Sequence, residues 1–156
     1  MKCVLSLIKK LFNKDTNKVE YHIDLNLSKE TNWKMAEEIL VLINDYRLSV
    51  GLQSIKIDKN YPSAYAVEHT KYMISVGKIN HDNFGKRSEA LKSRGAVRVG
   101  ENVAYGYRNA EDVVSSWLQS PTHKRVIEGN FTHSGLGIVA QDNGIYFFTQ
   151  LFYSKL

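Results

Sequence analysis

"SGLGIVA" (Ser134–Ala140), "QDNG" (Gln141–Gly144) and "IYFFTQLFY" (Ile145–Tyr153) close the chain on two apolar runs joined by a polar link. Asn143-Gly144 suits a tight hairpin, because both residues tolerate the backbone conformations such turns demand. Runs that are apolar at successive positions, rather than alternate ones, belong to strands buried on both faces. A hairpin of that kind needs cover on each side, and the upstream sequence supplies helices to provide it.

Thr31 or Asn32 caps a first helix, which Glu37 and Glu38 favour near its N-terminal end and Gly51 stops. Its apolar stripe runs Met35, Ile39, Leu42, Ile43, Tyr46, Val50. A short extended piece follows at Ser54–Ile57. Asp58 or Asn60 opens a second helix ending at Gly77, with Ala66, His69, Met73 and Val76 inward, so His69 reads as a packed residue. Arg87–Arg94 reads as a third, short helix stopped by Gly95. Asn109 caps a fourth, with Glu111 and Asp112 in its first turn and Val113, Val114, Trp117 and Leu118 inward. Ser120-Pro121 ends that helix and starts a fifth over Pro121–Glu128, with Ser120 as N-cap. Helices over a two-faced hairpin make an α+β fold of three layers, an α-β-α sandwich.

The 156 residues divide into a basic leader and polar linker, 1–30, and one domain, 31–156. The linker has room for one short strand at Val19–Leu25. No apolar run approaches the length that spans a bilayer. Most of the formal charge of +5 sits in the first 18 residues, so the domain lacks the basic stripe that nucleic acid requires. A single cysteine, Cys3, rules out an internal disulfide and a thiolate metal cluster. Val4, Leu5, Ile8, Leu11 and Phe12 share one helical face opposite lysines, a pattern suited to membrane-surface contact through residues 1–12. No clean signal-peptide cleavage site follows it.

Four polar residues stand out in this framework. "GENVAYGY" (Gly100–Tyr107) places the acid Glu101 inside a tight, apolar stretch that reads as a turn shaped by Gly100 and Asn102. His81 follows the second helix, and Ser120 and His123 straddle the start of the fifth. Long intervals separate His81, Glu101 and His123, so only a fold brings them together. His123, at the third position of its helix, feels the positive end of the backbone dipole, which favours neutral imidazole. Tyr105 and Tyr107 are placed to line a cleft mouth. The N-cap role explains Ser120 more simply than a nucleophile would.

"HTKYMISVGKINHDNFGKR", "VGENVAYGY", "VVSSWLQSPTHKR" and "GLGIVAQDNGIYFFTQLF" stand in the order seen in the CAP superfamily, which groups cysteine-rich secretory, antigen five and pathogenesis-related proteins. "LINDYRLSVGLQSIKID" resembles the first helix of that family and the loop after it. The resemblance covers about residues 33–156. It implies an α-β-α sandwich whose cleft gathers two histidines and two acids, matched here by His81, Glu101 and His123. The second acid, three residues after the tryptophan, is Ser120 in this chain. That exchange and the missing cysteines look like the bacterial-type branch, SCP-like and free of disulfides. Two imidazoles and one carboxylate can hold a divalent metal such as Zn or Mg with a position left for water. The same residues also suit a hydrogen-bonded cluster tying the Glu101 segment to the helix ends.

Three functions follow from the resemblance. One is a secreted or surface binding module, with a protein, lipid or cell-wall ligand as partner. Another is a metal-assisted hydrolase using Glu101 with His81 and His123. The third is lipid or sterol capture.

Overall fold

The computed structural model describes residues 21–156, so the leader helix and Cys3 lie outside the described residues. Of the strand read at Val19–Leu25, residues 21–24 carry no regular structure and Leu25 opens a 3-10 helix, Leu25–Glu30. The elements that follow are α1 Trp33–Ser49, β1 Lys56–Ile57, α2 Tyr61–Val76, α3 Phe84–Lys92 and β2 Ala96–Tyr105. After them come α4 Ala110–Gln119, α5 Pro121–Ile127, β3 His133–Ala140 and β4 Tyr146–Lys155.

The four strands lie in the order β1-β3-β4-β2. The β3–β4 hairpin therefore occupies the middle, antiparallel throughout, and β2 pairs antiparallel with β4 at one edge. β1 adds a short parallel rung to β3 at the other edge. Central position explains the unbroken apolar runs, because helices cover both faces. On one face Leu136, Ile138, Phe148 and Phe152 pack with Ile39 and Ile43 of α1 and Val113 and Trp117 of α4. On the other, Leu151 and Tyr153 pack with Tyr65 and Ala66 of α2 and Ala90 and Leu91 of α3. The fold is the three-layer sandwich.

α2 lies unusually close to β3. A Cβ added to Gly137 would stand 2.4 Å from the backbone carbon of Ala66 and the backbone nitrogen of Val67. Neither atom can swing aside, so Gly137→Ala should lower stability by about 2 kcal/mol through overpacking. Urea unfolding of the purified variant measures this, and an unchanged midpoint would show that α2 can retreat.

The helices depart from the sequence reading in three places, one being Val76 of α2, read as inward but 44% exposed. α3 begins at Phe84, ahead of Arg87, after Asn83 adopts a left-handed conformation at φ 61°. In α1 Val50 is exposed, and Arg47 takes a buried place on the stripe instead.

The largest departure is at "GENVAYGY". Gly100 to Tyr105 do not form a turn; they are the last six residues of the ten-residue strand β2. Glycine and asparagine are depleted in strands, which is why the stretch reads otherwise. Local contacts overcome the propensity. The Phe131 ring lies where a Gly100 side chain would be, with Cζ 2.9 Å from an added Cβ. The Asn102 amide donates to the His123 carbonyl at 3.1 Å.

Candidate functional site

Successive residues of a strand point to opposite faces, and the edge strand β2 uses this at Glu101 and Asn102. Glu101 pairs across from Leu151 and faces α2 and α3. Asn102 pairs across from Gln150 and faces α5, which carries His123. Two adjacent residues thus tie two separate elements to one strand.

Glu101 is 7% exposed, and its oxygens are engaged. Arg87 grips it in a fork, Nε donating to Oε2 at 2.8 Å and Nη2 to Oε1 at 2.8 Å. His81 Nδ1 donates to Oε1 at 2.8 Å. Burial alone pushes the carboxyl upward, but the hydrogen bonds from His81 and Arg87, with the charge of Arg87, hold it below the ordinary glutamate range. Arg87 also donates through Nη1 to the Asp82 carbonyl at 2.7 Å, fixing the residue next to His81.

His69 is buried, as its place on the α2 stripe implies, and it has a further task. Its Nε2 donates to the Asn80 carbonyl at 2.8 Å and stands 4.0 Å from Glu101 Oε1. A carbonyl only accepts, so Nε2 carries the proton. Burial foremost lowers the pKa of His69, which holds it as that neutral tautomer near pH 7. His69 and Arg87 together pin the connection that presents His81.

The fourth corner differs from an ordinary N-cap. Ser120 occupies the N-cap position of α5, yet its side chain makes no cap hydrogen bond. Its Oγ instead bonds His123 Nδ1 at 2.7 Å. A hydroxyl therefore steadies His123 where a carboxylate steadies His81. Burial, then the charge of His81, lowers the pKa of His123. The helix dipole invoked from sequence acts in the same direction.

With both Nδ1 atoms tied, the Nε2 atoms of His81 and His123 remain for a ligand. This donor set suits a two-imidazole metal site with Glu101 behind His81, a carboxylate–histidine arrangement that fixes ring and tautomer. Among the described residues, no group of three or more His, Cys, Asp or Glu side chains is placed to hold an ion. The carboxylate that the fold brings beside His81 is committed to Arg87.

Tyr105 and His123 line one cavity of about 460 Å³, with Tyr107 and Trp117 also in its wall. Sequence reasoning missed Arg87 and the second role of His69. A signal for Arg87 was present: it stands three and four residues before Ala90 and Leu91, on the core-facing side of a short helix. A buried arginine needs acceptors for its charge, and Glu101 was the unexplained acid.

The cysteine-rich secretory protein family model, CAP, matches residues 40–152. Uncharacterized protein YkwD of Bacillus subtilis is 31% identical over 124 residues, 76% of this chain and 47% of that protein. This chain thus spans about half the length of that relative. An outer surface protein of Borrelia burgdorferi shares the fold, with a TM-score of 0.69 at 22% identity over 79% of this chain and 94% of that one. An extracellular protein containing a SCP domain from Bacillus anthracis aligns with a TM-score of 0.63 at 27% identity, over 80% of this chain and 44% of that one. The ordered motifs, the sandwich and these likenesses agree: the chain belongs to the CAP, or cysteine-rich secretory protein, family, in the disulfide-free form found in bacteria.

Proposed function

We propose that this chain is a binding module working outside the cytoplasm, whose cleft holds a divalent metal, zinc for preference, through His81 and His123. The observation that carries the reading is the pair of imidazoles, each oriented through Nδ1 and each with Nε2 unspent. Neutral imidazole is the ligating form, and the lowered pKa of His123 favours it. Zinc, when bound, supplies a Lewis acid to a ligand oxygen. Arg87 and Glu101 hold the His81 ring, and Ser120 holds that of His123. The extracellular placement draws on the Bacillus anthracis relative, an extracellular protein by name.

Hydrolysis fits less well. A general base works best with a pKa near the working pH, whereas Glu101 is held below the ordinary carboxylate range and locked by an arginine. An enzyme built on Glu101 would have to break that pair in each turnover.

Calorimetric titration of zinc into the full chain tests the proposal. One ion should bind per chain, and His81→Ala or His123→Ala should each weaken binding at least about a hundredfold, roughly 2.7 kcal/mol. No heat from the parent protein, or unchanged affinity in both variants, would remove the metal from this reading.

A further inference from the structure

The cavity beside His123 has a chemical character of its own. It opens between the α2–α3 connection, the end of β2, α4 and the start of β4. Most polar groups in its wall are already satisfied. The Trp117 indole donates to the Val103 carbonyl at 3.1 Å, and the hydroxyls of Tyr107 and Ser116 bond each other at 2.5 Å. A polar ligand body would lose its water there and find no partners. The wall instead presents Tyr105 and Tyr107, backed by Trp117 and Phe147, each 2% exposed. At the mouth, Ile79 is 46% and Tyr105 48% exposed, two large apolar side chains left to solvent at one opening.

The unspent polar groups all suit one kind of head group. Lys78 lines the cavity, and its ammonium has no ion-pair or hydrogen-bond partner among the described residues. His123 Nε2 donates when the Ser120 hydroxyl donates to Nδ1, the tautomer opposite to the one that ligates a metal, and the Gln141 side chain is also in the wall. Among the described residues, no Asp or Glu lines the cavity. An anion is therefore complemented and a cation opposed.

We propose that this cavity binds a small aromatic carboxylate, its ring against Tyr105 and Tyr107, over the edges of Trp117 and Phe147, and its carboxylate toward Lys78 and His123. Ring walls favour a flat, rigid body, which stacks against them and gives up little rotamer freedom on binding. A volume of about 460 Å³ lies within the range of small-ligand sites. The inference rests on the cleft being a binding site, but it needs no metal.

The test is a titration of 3-phenylpropionate into the full chain carrying Trp33→Phe, which leaves Trp117 as the only tryptophan reporter. Excess chelator is present throughout. A saturable change in Trp117 fluorescence is expected, and Lys78→Glu should weaken it by about tenfold or more. Tyr105→Asp, at a half-exposed position whose change leaves the core intact, should weaken it similarly. 3-Phenylpropylamine and decanoate should both bind more weakly than the aromatic acid. The proposal is overturned by the absence of saturation into the millimolar range, by unchanged affinity in Lys78→Glu, or by the amine or decanoate binding as tightly. Zinc titration of the same protein without chelator separates the two readings. Failure of the carboxylate with zinc binding intact removes only this inference, and the reverse removes only the metal.

Discussion

Arg87→Met should lower the stability of the folded chain by about 3–5 kcal/mol, the cost of leaving a buried carboxylate without its partner. Glu101 would keep one strong donor, His81, and lose the fork that fills its other positions. The Asp82 carbonyl would lose its donor as well. Replacing both members of the pair, as in Arg87→Met with Glu101→Leu, should recover much of the loss, because no buried charge then remains unpaired. Urea unfolding of the two proteins at neutral pH measures the difference. A loss below about 1 kcal/mol in Arg87→Met would mean that water reaches Glu101 and replaces the arginine.

The same pair fixes an acid limit. The folded pKa of Glu101 is depressed, so its contribution is present above the ordinary carboxylate range and is lost as pH falls through the folded value. Buried His69, with its lowered pKa, adds to the loss at milder acidity, because the unfolded chain takes up the proton first.

Arg47→Met has the second largest expected effect, a loss of about 3 kcal/mol on the scale of hydrogen bonds to charged groups. The guanidinium reaches the Gln53 carbonyl from Nε at 2.8 Å, and the Ile127 and Gly129 carbonyls from Nη1 at 2.7 and 2.8 Å. Among the described residues it has no carboxylate partner; three backbone oxygens around the ends of α1 and α5 share its charge. Methionine fills similar space and leaves those oxygens without donors, each hydrogen bond to a charged group being worth roughly 1.5–3 kcal/mol before relaxation. Lysine should restore only part, since one ammonium cannot reproduce the planar fork. Urea unfolding compares the three proteins, and equal stability of the parent and Arg47→Met would show that α5 is held by apolar packing alone.

The hairpin was legible because burial on both faces writes itself into consecutive apolar residues, and Asn143-Gly144 marks its turn. β2 was not, because an edge strand carrying Gly100, Glu101 and Asn102 breaks the apolar pattern at the positions that build the site. Those residues are explained by what they hold: Phe131, then Arg87 with His81, then the His123 carbonyl. Site residues that bind other site residues leave no local spacing to read. His81, Glu101 and His123 stood out as polar residues in an apolar framework and family likeness implied their convergence, while Arg87 required the physical question of what neutralises a buried acid. Ser120 shows the converse. Its local N-cap reading was reasonable, but the hydroxyl spends its hydrogen bond on His123.

In the proposed metal site Glu101 supports a ligand-binding histidine and is not itself the ligand. Zinc affinity of Glu101→Gln, measured on folded protein beside His81→Ala and His123→Ala, tests it most directly. A loss of about tenfold is expected in Glu101→Gln, the scale of a partner that orients a ligand, and a far larger loss in either histidine variant. Binding abolished in Glu101→Gln but retained in a histidine variant would contradict it, and would make the carboxylate the ligand.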